Sequence, residues 1–220
     1  MLRLLDYLIH VTNNDIAPHG FIGAKVSHAP GESWEYQFIG NSEGVFLYYD
    51  PLDEPTNRYL GLAGMIAVLP DDSKSFFWNI REYESSYSNN LGSGRAVDWA
   101  KYDPDYFTIN GLSYPAIEQD TLAKVRAKVG EKIHVFIANT GQSMHSLHFH
   151  GFHCKVLAST NSNIRVGWNK DSFPIKRMSG LLLELVPDKP GHYSVHDHNL
   201  VAISAGGTHP NGMFTIMEVQ

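Results

Sequence analysis

The feature that most constrains this chain is its punctuation. Strand-sized apolar runs are broken every few residues by Gly, Pro, Asn and Asp, with almost no 3.6-residue periodicity. Candidate strands cover residues 7–11, 33–39, 45–49, 64–69, 76–81, 133–139, 152–158, 180–185, 192–197 and 213–219, each near the usual strand length. Short strands repeated with turns between them predict an all-β chain, a sandwich or a barrel. Its 220 residues suffice for one large β domain or two modest ones. The best boundary is the polar turn Pro70-Asp71-Asp72-Ser73, which gives units of 1–72 and 73–220. A weak internal echo supports two copies of one sandwich: Pro30-Gly31-Glu32-Ser33, feeding a strand, resembles Pro190-Gly191-His192-Tyr193-Ser194. Residues 83–105, rich in Ser, Asn, Gly, Asp and Tyr, read as a long surface loop that can include a helical turn.

Composition narrows the function classes. A net charge of −6 with no run of Lys and Arg argues against a nucleic-acid partner, because phosphate binding needs a concentrated basic surface. No apolar stretch approaches the roughly 18–20 residues of a membrane span. The opening MLRLLDYLIH carries Asp6 and lacks a small-residue cleavage site, so it does not read as a signal peptide. The single cysteine, Cys154, excludes an intrachain disulfide and reads as a small buried residue.

The 12 histidines are unevenly placed. In Met144-His145-Ser146-Leu147-His148-Phe149-His150-Gly151, strand alternation presents His148 and His150 on one face and turns Phe149 into the core. Gly151 permits a sharp bend or a close backbone approach beside them. In Ser194-Val195-His196-Asp197-His198-Asn199 a second pair shares a face, with Asp197 on the other. Neutral imidazole favours copper, zinc, iron and nickel. One such pair is as readily an exposed edge feature; two pairs on neighbouring strands would give four nitrogens to one metal or share two. His19, in Ala17-Pro18-His19-Gly20, reads on its own as a turn residue.

These motifs resemble those of the multicopper oxidase superfamily, including laccases, ceruloplasmin-like domains and copper nitrite reductases. His145-x-x-His148-x-His150-Gly151 resembles the HPxHxHG motif, and His196-Asp197-His198 with the later Gly212-Met213 resembles HCH…GM. Ala17-Pro18-His19-Gly20 sits where the first domain's HxHG belongs, residues 30–33 and 61–68 are similar to the family's first-domain framework, and residues 107–111 resemble a strand entering the second domain. The resemblance implies two Greek-key cupredoxin-like domains. It also implies a homotrimer, with metal held between the first domain of one subunit and the second domain of its neighbour, and a periplasmic or extracellular location. By position, His148 would serve a type 2 copper, and His150, His196, His198 and His19 a type 3 pair.

The departures are equally informative. Asp197 stands where the blue, type 1 copper cysteine belongs, Val201 and Ala202 occupy the region of that site's second histidine, and His209 is displaced. Only His145 and Met213 remain of it, and a blue site needs a His₂Cys set. No type 1 copper is therefore expected. In the first domain Ala17 replaces one histidine, and Tyr49-Asp50-Pro51 retains neither of the next pair; Tyr49 reads as packing and Asp50 as a turn cap. Only about one strand precedes the His19 element, which leaves an upstream start, a trimmed domain or a partner subunit to complete the edge.

The expectation is one or two copper ions, with zinc also accepted by such ligands. The function expected is a copper-dependent oxidoreductase taking electrons directly from a small reductant, with oxygen or a small oxo-substrate as acceptor. The segment 83–105 is a candidate to line its entrance. The alternative is a non-catalytic copper carrier, assembly or structural protein. A zinc hydrolase with Asp197 as base ranks last, because alternation turns Asp197 away from the histidines.

Overall fold

The computed structural model describes residues 42–50, 53–161 and 164–220. The expected strands at 7–11 and 33–39, the turn at 30–33 and His19 with its motif lie outside the described residues. Within them the chain is all-β, as expected. In chain order the first strands are β1 (Gly44–Tyr49), β2 (Ala63–Val68), β3 (Lys74–Tyr83), β4 (Tyr106–Ile109), β5 (Arg126–Ala127) and β6 (Ile133–Asn139). They are followed by β7 (His145–Phe149), β8 (Cys154–Ser159), β9 (Asn169–Lys170), β10 (Ser172–Ile175), β11 (Ser179–Leu185), β12 (Gly191–Asp197) and β13 (Phe214–Val219).

A six-stranded sheet, β4-β3-β6-β11-β8-β9, faces a five-stranded sheet, β10-β7-β12-β13-β5, and β1-β2 form a separate hairpin. Most neighbours are antiparallel, but β3 runs parallel to β6 and β5 parallel to β13. Inward residues of both sheets fuse into one core that includes Trp78. The Trp78 ring is fully buried and stacks on Phe149 at 5.7 Å, and its Nε1–H donates to the Ala123 carbonyl at 2.8 Å. That partner is what allows an indole N–H so deep a position.

Strands β6 and β11 are buried on both faces, which explains their near-continuous apolar runs. One face meets the sandwich core; on the other, Phe136, Ala138 and Leu182 pack against Val45 of β1. The approach there is close enough that a Cβ on Gly180 would lie 2.7 Å from the Val45 side chain.

Eight of the expected strands fall in the described region, and each is present to within about two residues. Strand β7 carries the alternation read at His148 and His150, and β4 overlaps the 107–111 segment that the resemblance made a strand; the strands not anticipated, β5, β9 and β10, are two to four residues long. Strand β10 also carries Pro174, which is tolerated because β10 is an edge strand. Residues 83–105 hold more structure than a loop: helix α1 (Ser85–Gly92) and a 3-10 turn over Trp99–Lys101. Sequence periodicity could not reveal this, because tertiary contacts hold the segment. Tyr59 packs edge-on against Tyr83, Trp99 and Tyr102, and the Asp105 carboxylate accepts the backbone N–H and hydroxyl of Ser85 at the helix start.

Candidate metal centre

Strands β7 and β12 are neighbours in the five-stranded sheet, and their register sets His148 directly opposite His196. Phe149, between His148 and His150, is fully buried, as alternation requires. His150 and His198 sit just past the ends of their strands and are exposed, while His148 and His196 are half-buried. Gly151 makes the bend after His150: its φ is 81°, and a Cβ there would strike the Tyr193 ring at 2.5 Å.

The four expected second-half histidines are thus brought together. Ring centroids are 4.5 Å apart for His148 and His150, 4.9 Å for His148 and His198, and 4.9 Å for His150 and His196. The tightest contact joins His150 Nε2 to His196 Nε2 at 2.8 Å. His196 Nδ1 lies 2.8 Å from the carbonyl oxygen of Asp197, an acceptor only, so Nδ1 carries the proton and the neutral ring has its lone pair on Nε2. His148 Nδ1 is held by Ser172 Oγ at 2.8 Å, from the facing position on β10. Such hydrogen bonds on the far nitrogen are the usual way of orienting a metal-binding imidazole. Burial, then the neighbouring His148, His196 and His198, push the His150 pKa below its usual value, which favours the unprotonated ligand form.

The donor chemistry therefore fits copper or zinc, but the set is not closed. Among the described residues no group of three or more His, Cys, Asp or Glu side chains is arranged to hold an ion. Two ligands at metal–nitrogen distances of about 2.0–2.1 Å stand roughly 3 Å apart or more, so the 2.8 Å contact between His150 and His196 would open slightly on binding.

Beneath this face lies an arrangement that sequence reading missed. His145 is buried with a carboxylate on each ring nitrogen: Nδ1 is 2.6 Å from Asp197 Oδ2, and Nε2 is 2.8 Å from Glu82 Oε2. Burial alone would lower the pKa of His145, but its hydrogen bonds to Asp197 and Glu82 and their charges outweigh it and raise the value to about 9. Burial would likewise raise that of Glu82, yet the His145 hydrogen bond and charge and the N–H groups of Gln142 and Ser143 hold it below the carboxylate norm. Both nitrogens of His145, which the resemblance assigns to a type 1 site, are consequently occupied by protein groups. A signal for Glu82 existed: it continues the period-2 face of the core residues Phe76, Trp78 and Ile80, which makes it an inward-facing carboxylate.

The other candidates fall where the residue chemistry suggested. Cys154 is fully buried on β8, in the opposite sheet, and burial raises its thiol pKa well above normal. Asp50 accepts a hydrogen bond from Asn57 Nδ2 at 2.9 Å, consistent with a turn-organising role. Met213 is buried in the core and His209 is exposed beside Phe214.

Comparison with known proteins places the family and the fold. A family model described as multicopper oxidase matches residues 94–210, more than half of the sequence. The chain belongs to the multicopper oxidase family. Its fold is similar to that of a blue copper oxidase from Nitrosomonas europaea (TM-score 0.71, 24% identity), covering 93% of this chain and 65% of that one. It is also similar to a copper nitrite reductase from Nitrosomonas europaea (TM-score 0.68, 18% identity), covering 96% of this chain and 73% of that one. These likenesses define a cupredoxin-like fold, and the chain spans just under two thirds of the length of the first of them. No curated protein matches the chain.

Proposed function

We propose that this protein is a copper-binding oxidoreductase whose metal is held by His148, His150, His196 and His198, in a type 2/type 3-like site without a blue copper relay. The observation that carries the reading is the convergence of two His-x-His pairs on adjacent strands, with the Nε2 atoms of His150 and His196 in contact. The Asp197 carbonyl fixes the His196 tautomer, Ser172 orients His148, and Phe149 anchors the strand between the ligands. Copper bound there would supply one-electron chemistry toward oxygen or a small oxo-substrate. Electrons would come directly from a small-molecule reductant, since Asp197 and the doubly bonded His145 leave no relay of the blue type.

The open donor set supports completion by further ligands, and His19 from the first unit (residues 1–72) of a neighbouring subunit is the candidate. A homotrimer with its site between subunits follows from that reading, with one or two ions per site. The rim agrees: Met144, Leu200 and Val201 expose apolar side chains beside the histidine segments. No helix among the described residues is long and apolar enough to cross a membrane.

The test is a copper titration followed by alternating ascorbate and oxygen. Binding with reversible change of valence, abolished in a His150→Ala, His196→Ala double variant, is the expected result. The second reading, a non-catalytic copper-binding protein, is favoured by the same replaced relay. Copper that binds but never changes valence would establish it, and preferential binding of zinc would move the assignment away from redox chemistry altogether.

A further inference from the structure

We propose that Glu82 is a positioning residue for the histidine site: with His145 and Asp197 it forms a metal-free clamp that fixes the main chain on which His148, His196 and His198 stand. The inference rests on the reading of those histidines as copper ligands, and it begins from how completely the two carboxylates are used. One oxygen of each binds the His145 ring. The other oxygen of Glu82 accepts the backbone N–H groups of Gln142 and Ser143 at 2.6 and 2.7 Å. The other oxygen of Asp197 accepts those of Ser146 and Asn199 at 3.2 and 2.9 Å.

Three segments are joined by these bonds: the end of β3, the turn entering β7, and the end of β12 with the residues after it. His148 follows the clamped His145 and Ser146 by two to three residues, and His196 and His198 flank Asp197. His198 is tied to the same place, its N–H donating to the Ser146 carbonyl at 2.8 Å. A shift of Glu82 would therefore pass to the site through main-chain bonds, without any contact between Glu82 and the metal ligands.

Two other readings fit less well. A separate metal site is excluded by direction, because Nδ1 and Nε2 lie on opposite sides of the imidazole and bring Asp197 and Glu82 to opposite edges of the ring. Bulk stability alone is an incomplete account, because a buried ion pair costs stability when broken wherever it sits, and that does not explain where these bonds end. Here the groups fixed are the histidine-bearing segments.

Glutamine is the discriminating substitution. Its amide oxygen can take the N–H groups of Gln142 and Ser143, and its amide N–H can donate to Nε2 of a neutral His145, so connectivity survives the loss of charge. Alanine breaks both. In metal-free protein, NMR should show slowed exchange of the Gln142, Ser143, Ser146 and Asn199 amides. Glu82→Ala should lose this protection at Gln142 and Ser143 and move the ring resonances of His148, His196 and His198; Glu82→Gln should preserve both.

With Cu(II), measured by competition against a chelator, affinity should fall by about tenfold or more in Glu82→Ala, the scale of lost supporting bonds. It should stay within about threefold in Glu82→Gln, with the wild-type paramagnetic resonance spectrum. Should Glu82→Ala not fold, Glu82→Asp, whose reach is one methylene shorter, carries the same prediction in smaller measure. A folded Glu82→Ala protein with unmoved histidine resonances and unchanged copper affinity would overturn the proposal. Wild-type protein that bound no copper would instead remove the copper reading, while the metal-free resonances still decided whether Glu82 positions the histidines.

Discussion

Raising the pH should unfasten the clamp at His145, and the structure sets the size of the effect. The folded pKa is raised to about 9 from an ordinary 6.5. Stabilisation from the protonated ring is therefore fully present below pH 6.5, declines as the pH rises from there, and is gone above about 9. A difference of two to three pH units at about 1.4 kcal/mol each amounts to about 3 kcal/mol. For a chain of this length that corresponds to a fall in melting temperature of roughly 6–12 °C. On the acid side Glu82, held below its ordinary 4.5, contributes fully above that pH and loses its contribution as the pH falls further. The assay is thermal and urea unfolding of metal-free protein at half-unit steps from pH 5 to 10, beside Glu82→Gln. The variant carries every other titrating group, Asp197 included, so the difference between the curves isolates the Glu82 share of the effect. Wild-type stability that falls between pH 6.5 and 9 more steeply than that of Glu82→Gln is expected; parallel curves would refute the reasoning.

Three further outcomes follow from packing. Gly180→Ala places a methyl group 2.7 Å from the Val45 side chain and should cost about 1–3 kcal/mol in urea unfolding through overpacking. Arg58→Met should cost about 3 kcal/mol or more by the same assay. The fully buried guanidinium bridges the Glu54 carboxylate to the carbonyls of Thr140 and Gly141, and its loss leaves those acceptors unpaired. Cys154, fully buried with its thiol pKa raised by burial, should resist an aromatic disulfide reagent at pH 8 and react only on unfolding, followed by absorbance of the released thiolate.

How much of this was legible in the sequence varies from element to element. The long apolar strands, such as Ile133–Asn139 and Ser179–Leu185, were readable because burial on both faces writes a continuous hydrophobic run. The short strand Ser172–Ile175 was not, since four residues with a proline give no period, yet it supplies the Ser172 that orients His148. The His-x-His pairs were legible because alternation alone brings two imidazoles to one face, and the fold supplied their pairing across β7 and β12. Glu82 went unnoticed for the opposite reason. Its significance lies in a partner 63 residues away, and no local pattern says that an inward-facing carboxylate will meet a histidine. Helix Ser85–Gly92 is held by rings and a carboxylate from outside itself, so propensity within the segment could not foretell it.

The central proposal is that His148, His150, His196 and His198 hold copper while His145, Glu82 and Asp197 form a metal-free clamp. Protein loaded with Cu(II), freed of excess metal and examined by absorption and paramagnetic resonance together with metal analysis, tests it most directly. The account predicts one or two coppers per chain with imidazole nitrogen coupling, lost in the His150→Ala, His196→Ala double variant, and no intense thiolate-to-copper absorption. An intense blue band, or stoichiometric copper that survives the double variant, would contradict it.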